Sequence, residues 1–168
     1  MVRPRTSLTA TRALLCGALA VAVLDITDAL VFFGLRGAAP IRIFQSIASG
    51  LLGRAAFRGG LATAALGGVL QLFIAACIVA TYHLASRRVR TLAQRPLLWG
   101  PLYGIAVYGV MNFVVVPLSA AAGGPKTLPV VLNGLLIHIF AVGLPSALSA
   151  WLATPPPARE PEAAPAPA

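Results

Sequence analysis

The stretch 12–35, RALLCGALAVAVLDITDALVFFGL, decides the fold, because its residues are almost all apolar. As an α-helix it would extend about 36 Å, which exceeds the roughly 30 Å hydrocarbon core of a bilayer. The stretch therefore predicts a transmembrane helix. It also contains Asp25 and Asp28, and a carboxyl group at this depth is costly unless it is paired, hydrated or protonated.

A cleaved signal peptide is the alternative for this first stretch. Arg3, Arg5 and Arg12 surround its start, and alanines at alternate positions from Ala18 to Ala22 match a cleavage site. The apolar pattern continues past those alanines to the end of the stretch. That length is typical of a membrane span rather than of a signal-peptide core.

The composition of the whole chain agrees with a membrane protein. Of 168 residues, 58% are hydrophobic and only 10% are charged, and the mean hydropathy is +0.87. A net charge of +9 could indicate a nucleic-acid partner, but such proteins cluster their basic residues on a solvated face. Here the arginines separate apolar runs, which is typical of membrane topology and argues against nucleic acid.

Four stretches have the length and apolarity of a helical span. They are residues 12–35, 61–86, 97–119 and 128–152. We expect one membrane domain over 1–153, an all-α bundle of four transmembrane helices. A Pro- and Ala-rich tail over 154–168 has the composition of a disordered segment.

The basic residues outside these spans predict the orientation of the chain. Eight lie on the side of the two termini and of the loop 87–96 when Arg12, which begins the first span, is assigned to the amino-terminal end, and five lie on the side of the first and third loops. Basic residues favour the cytoplasm, so we expect a multi-pass protein with both termini cytoplasmic. Insertion in both orientations is the alternative, because the difference is small.

The first loop contains a segment with its own pattern, residues 40–54. Its apolar residues recur at helical spacing, and Pro40 suits a first helical position. The opposite face is polar and consists of Arg42, Gln45, Ser46 and Ser49. We predict an amphipathic helix in the membrane interface. A re-entrant segment that dips toward the bundle is the alternative, since its glycines and serines permit close packing.

The two acids of the first span define the candidate site. Asp25 and Asp28 are three residues apart, so they share a helix face and each disfavours ionisation of the other. Counting 1.5 Å per residue from each span's middle places Gln71, Asn112 and His138 in the same layer, each on a different span. Each of the four helices thus contributes a polar residue to one depth.

Two hypotheses follow from this polar layer. In the first, which the sequence favours, the protein is a structural or accessory bundle, and the layer fixes the register of the helices through hydrogen bonds. In the second, it is a proton-coupled transporter of a small molecule that acts as an oligomer, with Asp25 or Asp28 as proton carrier and His138 as partner. The expected partners are lipid and either a second copy or another membrane protein.

Enzymatic chemistry has little support in the sequence. There is no Walker loop, dinucleotide fingerprint, nucleophile elbow or paired-histidine zinc motif. His83 and His138 differ in depth by about 17 Å, too far for two axial ligands of one haem. Cys16 and Cys77 fit no metal-ligand spacing. We therefore expect no catalytic residue, no metal and no cofactor.

Three motifs carry a resemblance to other proteins. LDIT (24–27), QSIASGLLGRAAF (45–57) and MNFVVVPLS (111–119) resemble small uncharacterised four-span bacterial inner-membrane proteins, a group with no assigned activity. The resemblance covers most of the chain and implies placement in the bacterial inner membrane. The chain is also loosely similar to small multidrug-resistance exporters, which are proton-coupled and carry an acidic residue in the first helix. The long first loop, the second acid and His138 depart from that pattern.

Overall fold

A computed structural model describes residues 8–121, 123–124 and 126–154, so the predicted tail lies largely outside the described residues. The described part contains helices and no strand. The helices are α1 (Ala10–Gly34), α2 (Pro40–Leu52), α3 (Gly60–Arg88), α4 (Arg90–Gln94), α5 (Pro96–Leu118) and α6 (Leu128–Ala153).

The prediction of four span-length helices is confirmed. α1, α3, α5 and α6 are each long and apolar enough to cross a membrane, and each begins and ends within two residues of the predicted span. The short α4, in the loop between α3 and α5, has no counterpart in the sequence prediction. These four helices support a multi-pass membrane protein.

Small and β-branched side chains form the centre of the bundle. The buried cluster comprises Ala18, Val21, Ala22, Ala75, Val79, Val107 and Val142. Large apolar side chains instead cover the outer surface, as Leu15, Leu72 and Phe73 do. A soluble protein has its large apolar side chains inside, so this arrangement is the reverse. It is expected for helices in lipid, where close backbone approach rather than apolar burial drives association.

Glycines bring α5 and α6 into backbone contact. A Cβ atom on Gly104 would collide with the carbonyl oxygen of His138, and one on Gly143 would collide with the carbonyl oxygen of Gly100. Gly100 and Gly104 lie four residues apart on one face of α5, so only hydrogen atoms separate the two backbones there. The contact fixes the backbone of α6 at His138.

Both α5 and α6 contain a π-helical turn immediately before a proline. Val116 donates its N–H to Met111, and Leu144 donates to Ile139, in each case five residues back. Pro117 and Pro145 follow directly and have no N–H to donate. The widened turns absorb the prolines, and they include Asn112 and His138.

The α2 helix folds back against the start of α3. Phe44 lies against Gly67, where a Cβ atom would collide with the Phe44 carbonyl oxygen. The side chain of Gln45 donates to the carbonyl oxygen of Gly60 at 3.0 Å. A 3₁₀ turn over Gly53–Arg58 connects the two helices, and Gly53 adopts φ +56°, which glycine tolerates best.

The polar residues of α2 do not form the single exposed face that the sequence predicts. Arg42 and Ser46 are exposed, whereas Gln45 and Ser49 are buried. The sequence prediction assumed that only solvent and lipid surround this helix. In the structure α3 covers part of its polar side and supplies Gly60 and Thr63 as hydrogen-bond partners for Gln45.

Candidate functional site

A cavity of about 590 Å³ lies within the bundle, toward the end formed by the first and third loops. All four span-length helices line it, together with α2 and residues of the third loop. The five predicted polar residues of the membrane layer, Asp25, Asp28, Gln71, Asn112 and His138, are all among its lining residues. The structure thus brings the predicted residues together around one space.

The carboxyl group of Asp25 is bound by α3. Gln71 donates its Nε2 hydrogen to Asp25 Oδ2 at 2.7 Å. Both residues lie about 4.5 Å from the middle of their helices, on the first-loop side. The depth argument from the sequence placed both residues in one layer, but the partner that it proposed for the acids was His138.

The carboxyl group of Asp28 is bound by α6, through a residue that the sequence prediction missed. Asn133 donates its Nδ2 hydrogen to Asp28 Oδ2 at 2.7 Å. Asp28 and Asn133 lie about 9 and 11 Å from the middle of their helices on the same side. The same depth count would have found Asn133 if it had been extended one turn beyond His138.

Each carboxyl group keeps one oxygen without a protein donor in the part of the chain that the structure describes. Both amides bond to Oδ2, which leaves Oδ1 of Asp25 and of Asp28 uncommitted. Neither carboxyl forms an ion pair with a described basic residue. Both side chains are only partly buried and line the cavity. The cavity therefore contains two acidic groups without an ion-pair partner among the described residues.

His138 and Asn112 do not bond to the acids as the layer hypothesis supposed. The Nδ1 atom of His138 lies 2.8 Å from the carbonyl oxygen of Gly134, so Nδ1 carries a hydrogen. In the neutral ring Nε2 is then an acceptor. The Asn112 amide donates to the carbonyl oxygen of Tyr108 at 3.0 Å. The Tyr108 ring meets the His138 imidazole edge-on, with centroids 5.3 Å apart.

The loop end of the cavity is formed by α2 and the third loop. Ser46 and Gly50 of α2 line the cavity together with Ser119, which lies beside Gly50. The backbone N–H of Ala120 donates to the carbonyl oxygen of Gly50 at 2.9 Å and holds these two segments together. Among the described lining residues Lys126 is the only lysine or arginine, and its ammonium lies 5.7 Å from the centre of the Phe113 ring.

The other end of the bundle contains a separate polar cluster that is closed. His83 Nε2 lies 2.9 Å from Ser149 Oγ, and both side chains are buried. Ser149 donates its hydroxyl hydrogen to the carbonyl oxygen of Ser146 at 2.8 Å. The imidazole must then donate to Ser149, so it does not act as a base toward the hydroxyl. This pair has the bonding of a structural contact.

No family model, curated protein or solved structure matches the chain. Four apolar helices support the class of multi-pass membrane proteins. Function must therefore be argued from the geometry of the cavity.

Proposed function

We propose that the protein is a membrane carrier that takes up a small molecule in the cavity and exchanges it for protons. The observation that carries this proposal is that Asp25 and Asp28 each present an uncommitted oxygen to a space of about 590 Å³. A contact that only held helices together would be dry, with its polar atoms paired. A cavity of this volume is typical of small-molecule sites.

Proton exchange follows from the environment of the acids. A carboxyl group inside a membrane needs a neutralising partner, and a proton or a bound cation can each supply one. Because no described basic side chain pairs with Asp25 or Asp28, substrate and protons compete for the same groups. His138 offers its Nε2 atom as a second proton acceptor on the wall of the same cavity.

The proposed location is the bacterial inner membrane, with both termini in the cytoplasm. In this orientation the cavity lies in the outer half of the membrane. We place α2 in the outer interface, with Ser46 and Gly50 on its inner side as part of the cavity's rim. A homo-oligomer or a partner membrane protein completes the path, since four helices enclose little room for a site that opens alternately to two sides.

A structural role is the second candidate, and a specific observation favours it. The bonds from Gln71 to Asp25 and from Asn133 to Asp28 join α1 to two other helices at 2.7 Å each. Interhelical hydrogen bonds of this kind contribute roughly 0.6 to 2 kcal/mol. This role requires that the carboxyls be paired, but it does not require a cavity that water can enter.

Cysteine labelling tests whether water and solutes reach the cavity. We expect Asn112→Cys, in native membranes, to react with a positively charged, water-soluble methanethiosulfonate reagent, because residue 112 lines the cavity. Reagent added on the first-loop side of the membrane should modify the cysteine, and reagent added on the opposite side should not. Mass spectrometry of the intact protein measures the modification.

The chain supplies its own control for this labelling. Cys16 and Cys77 are exposed on the outer surface of span-length helices, so lipid should shield them from a charged reagent. The wild-type protein should therefore stay unmodified in membranes and react after denaturation. If Asn112→Cys is as unreactive as wild type until denaturation, the cavity is closed to solutes and the carrier proposal fails.

A further inference from the structure

The atoms that the polar layer leaves free are mostly acceptors. The amide nitrogens of Gln71 and Asn133 each donate one of their two hydrogens to a carboxyl, and that of Asn112 donates one to a backbone carbonyl, so three N–H donors remain. Within the described residues, this leaves the second oxygens of Asp25 and Asp28 and the three amide oxygens without donors. The Nε2 atom of His138 adds a further acceptor. A ligand that fits such a wall must be rich in N–H or O–H donors.

The charge of the cavity also selects the ligand. Two acids face the space, while Lys126 lies at the loop end with its ammonium over the Phe113 ring. A cation gains charge-assisted hydrogen bonds from the free carboxylate oxygens. An anion would instead meet two negative groups in a medium of low dielectric constant.

The size and the remaining walls exclude a bare metal ion as the fitting ligand. Apolar side chains from several helices, including Phe33, Ile47, Ile74 and Met111, line most of the space. Divalent cations need several oxygens at about 2.0 to 2.6 Å. The described residues contain no group of three His, Cys, Asp or Glu side chains that could hold a metal. An organic ligand with an apolar body fills the cavity better.

We propose that the ligand is an organic cation with N–H donors, a protonated amine or a guanidinium, attached to an apolar body. The cationic head lies between Asp25 and Asp28, and the body lies against the apolar walls. This inference rests on the proposed function and names the substrate class of the same cavity. It separates N–H cations from quaternary ammonium ions, which carry charge but donate no hydrogen bond.

Three compounds of similar shape test charge and hydrogen bonding separately. Benzylguanidine is a cation with N–H donors, benzylurea is neutral with N–H donors, and benzyltrimethylammonium is a cation without them. We expect benzylguanidine to bind the full chain in lipid nanodiscs about ten- to a hundredfold more tightly than either of the others, because only it brings both a positive charge and N–H donors to the carboxylates. Isothermal titration calorimetry measures the three affinities.

Variants assign the binding to the acids. Asp25→Asn and Asp28→Asn should each weaken benzylguanidine binding about tenfold or more and weaken benzylurea binding much less, because the neutral ligand loses no ion pair. Gly109→Ala is the matched control, because a Cβ atom at Gly109 meets only open space and Gly109 does not line the cavity. Circular dichroism and the melting temperature establish that each variant is folded.

Every other order of affinities overturns the inference. Equal binding of benzylurea would show that charge is not needed, and equal binding of benzyltrimethylammonium would show that N–H donors are not needed. Absence of binding by all three compounds would also reject the ligand class. In each of these cases labelling of Asn112→Cys still reports whether the cavity admits solutes, so failure of the ligand class is distinguishable from failure of the carrier proposal.

Discussion

Asp25→Asn and Asp28→Asn are each expected to abolish pH-driven uptake of benzylguanidine into proteoliposomes. Asparagine keeps the shape of the side chain but can neither release a proton nor carry the charge that neutralises a cation. Loss of a carboxyl that must alternate between proton and substrate removes the coupling itself. We therefore expect uptake to fall at least about tenfold, to the level of protein-free vesicles. Radiolabelled benzylguanidine measures uptake under an imposed pH gradient.

The controls for this result separate transport from stability. Gly109→Ala should transport as the wild type does, because Gly109 lies away from the cavity. The Asn variants should keep their helix content and oligomeric state. If uptake into Asn-variant vesicles equals that of the wild type, the acids do not carry protons and transport by this site is rejected. A fall in melting temperature with leucine at both positions, together with unchanged uptake in the Asn variants, would favour the structural role.

Gly104→Ala is expected to lower the stability of the bundle substantially. The added Cβ atom would lie within 2.7 Å of the His138 carbonyl carbon and 2.8 Å of Ile139 Cα, and both are backbone atoms that no rotamer change can move. Overpacking of this kind costs about 1 to 3 kcal/mol, or more where the backbone must shift. We expect the melting temperature in detergent to fall by several degrees.

The same substitution five residues along α5 gives a matched control. Gly109→Ala changes the same helix by the same methyl group, but its Cβ atom has no neighbour within 4 Å. Alanine favours helix over glycine by up to about 1 kcal/mol, so this variant should melt at the wild-type temperature or slightly above it. If the two variants melt alike, α5 and α6 are not held together by backbone contact at Gly104.

Much of the architecture was predictable because lipid restricts what a spanning segment can be. A helix satisfies its backbone hydrogen bonds internally, so length and apolarity locate each span. Gly100 and Gly104 also lie four residues apart in α5, a spacing that favours close helix approach, and Gly104 makes such a contact with α6. The α4 helix is too short and too polar for either signal, which explains why the sequence did not reveal it.

The composition of the site was predictable only through depth. Antiparallel helices place residues at equal distances from their middles at the same depth, and this put Asp25 and Gln71, which are hydrogen-bonded, in one predicted layer. Depth does not give rotation about the helix axis, however. It therefore put His138 and Asn112 near the acids, but it could not show that both bond to backbone carbonyls of their own helices.

The contacts of α2 could not be predicted from the sequence, for a related reason. A helical pattern shows which residues share a face but not what covers that face. Gln45 and Ser49 fall on the polar side, and α3 meets part of that side and buries them. The π turns have a local cause in Pro117 and Pro145, yet their effect on the cavity depends on which helix each turn faces.

Infrared difference spectroscopy of the protein in hydrated membranes tests the central claim, that Asp25 and Asp28 titrate in a space that water reaches. The double variant Asp25→Asn/Asp28→Asn serves as the reference, so that the signals of Glu160 and Glu162 cancel. We predict a carboxylic acid C=O band that is present only in the wild type, changes with pH, and shifts at once when H₂O is replaced by D₂O. A spectrum without a titrating band, or a band that D₂O leaves unshifted, would contradict the account.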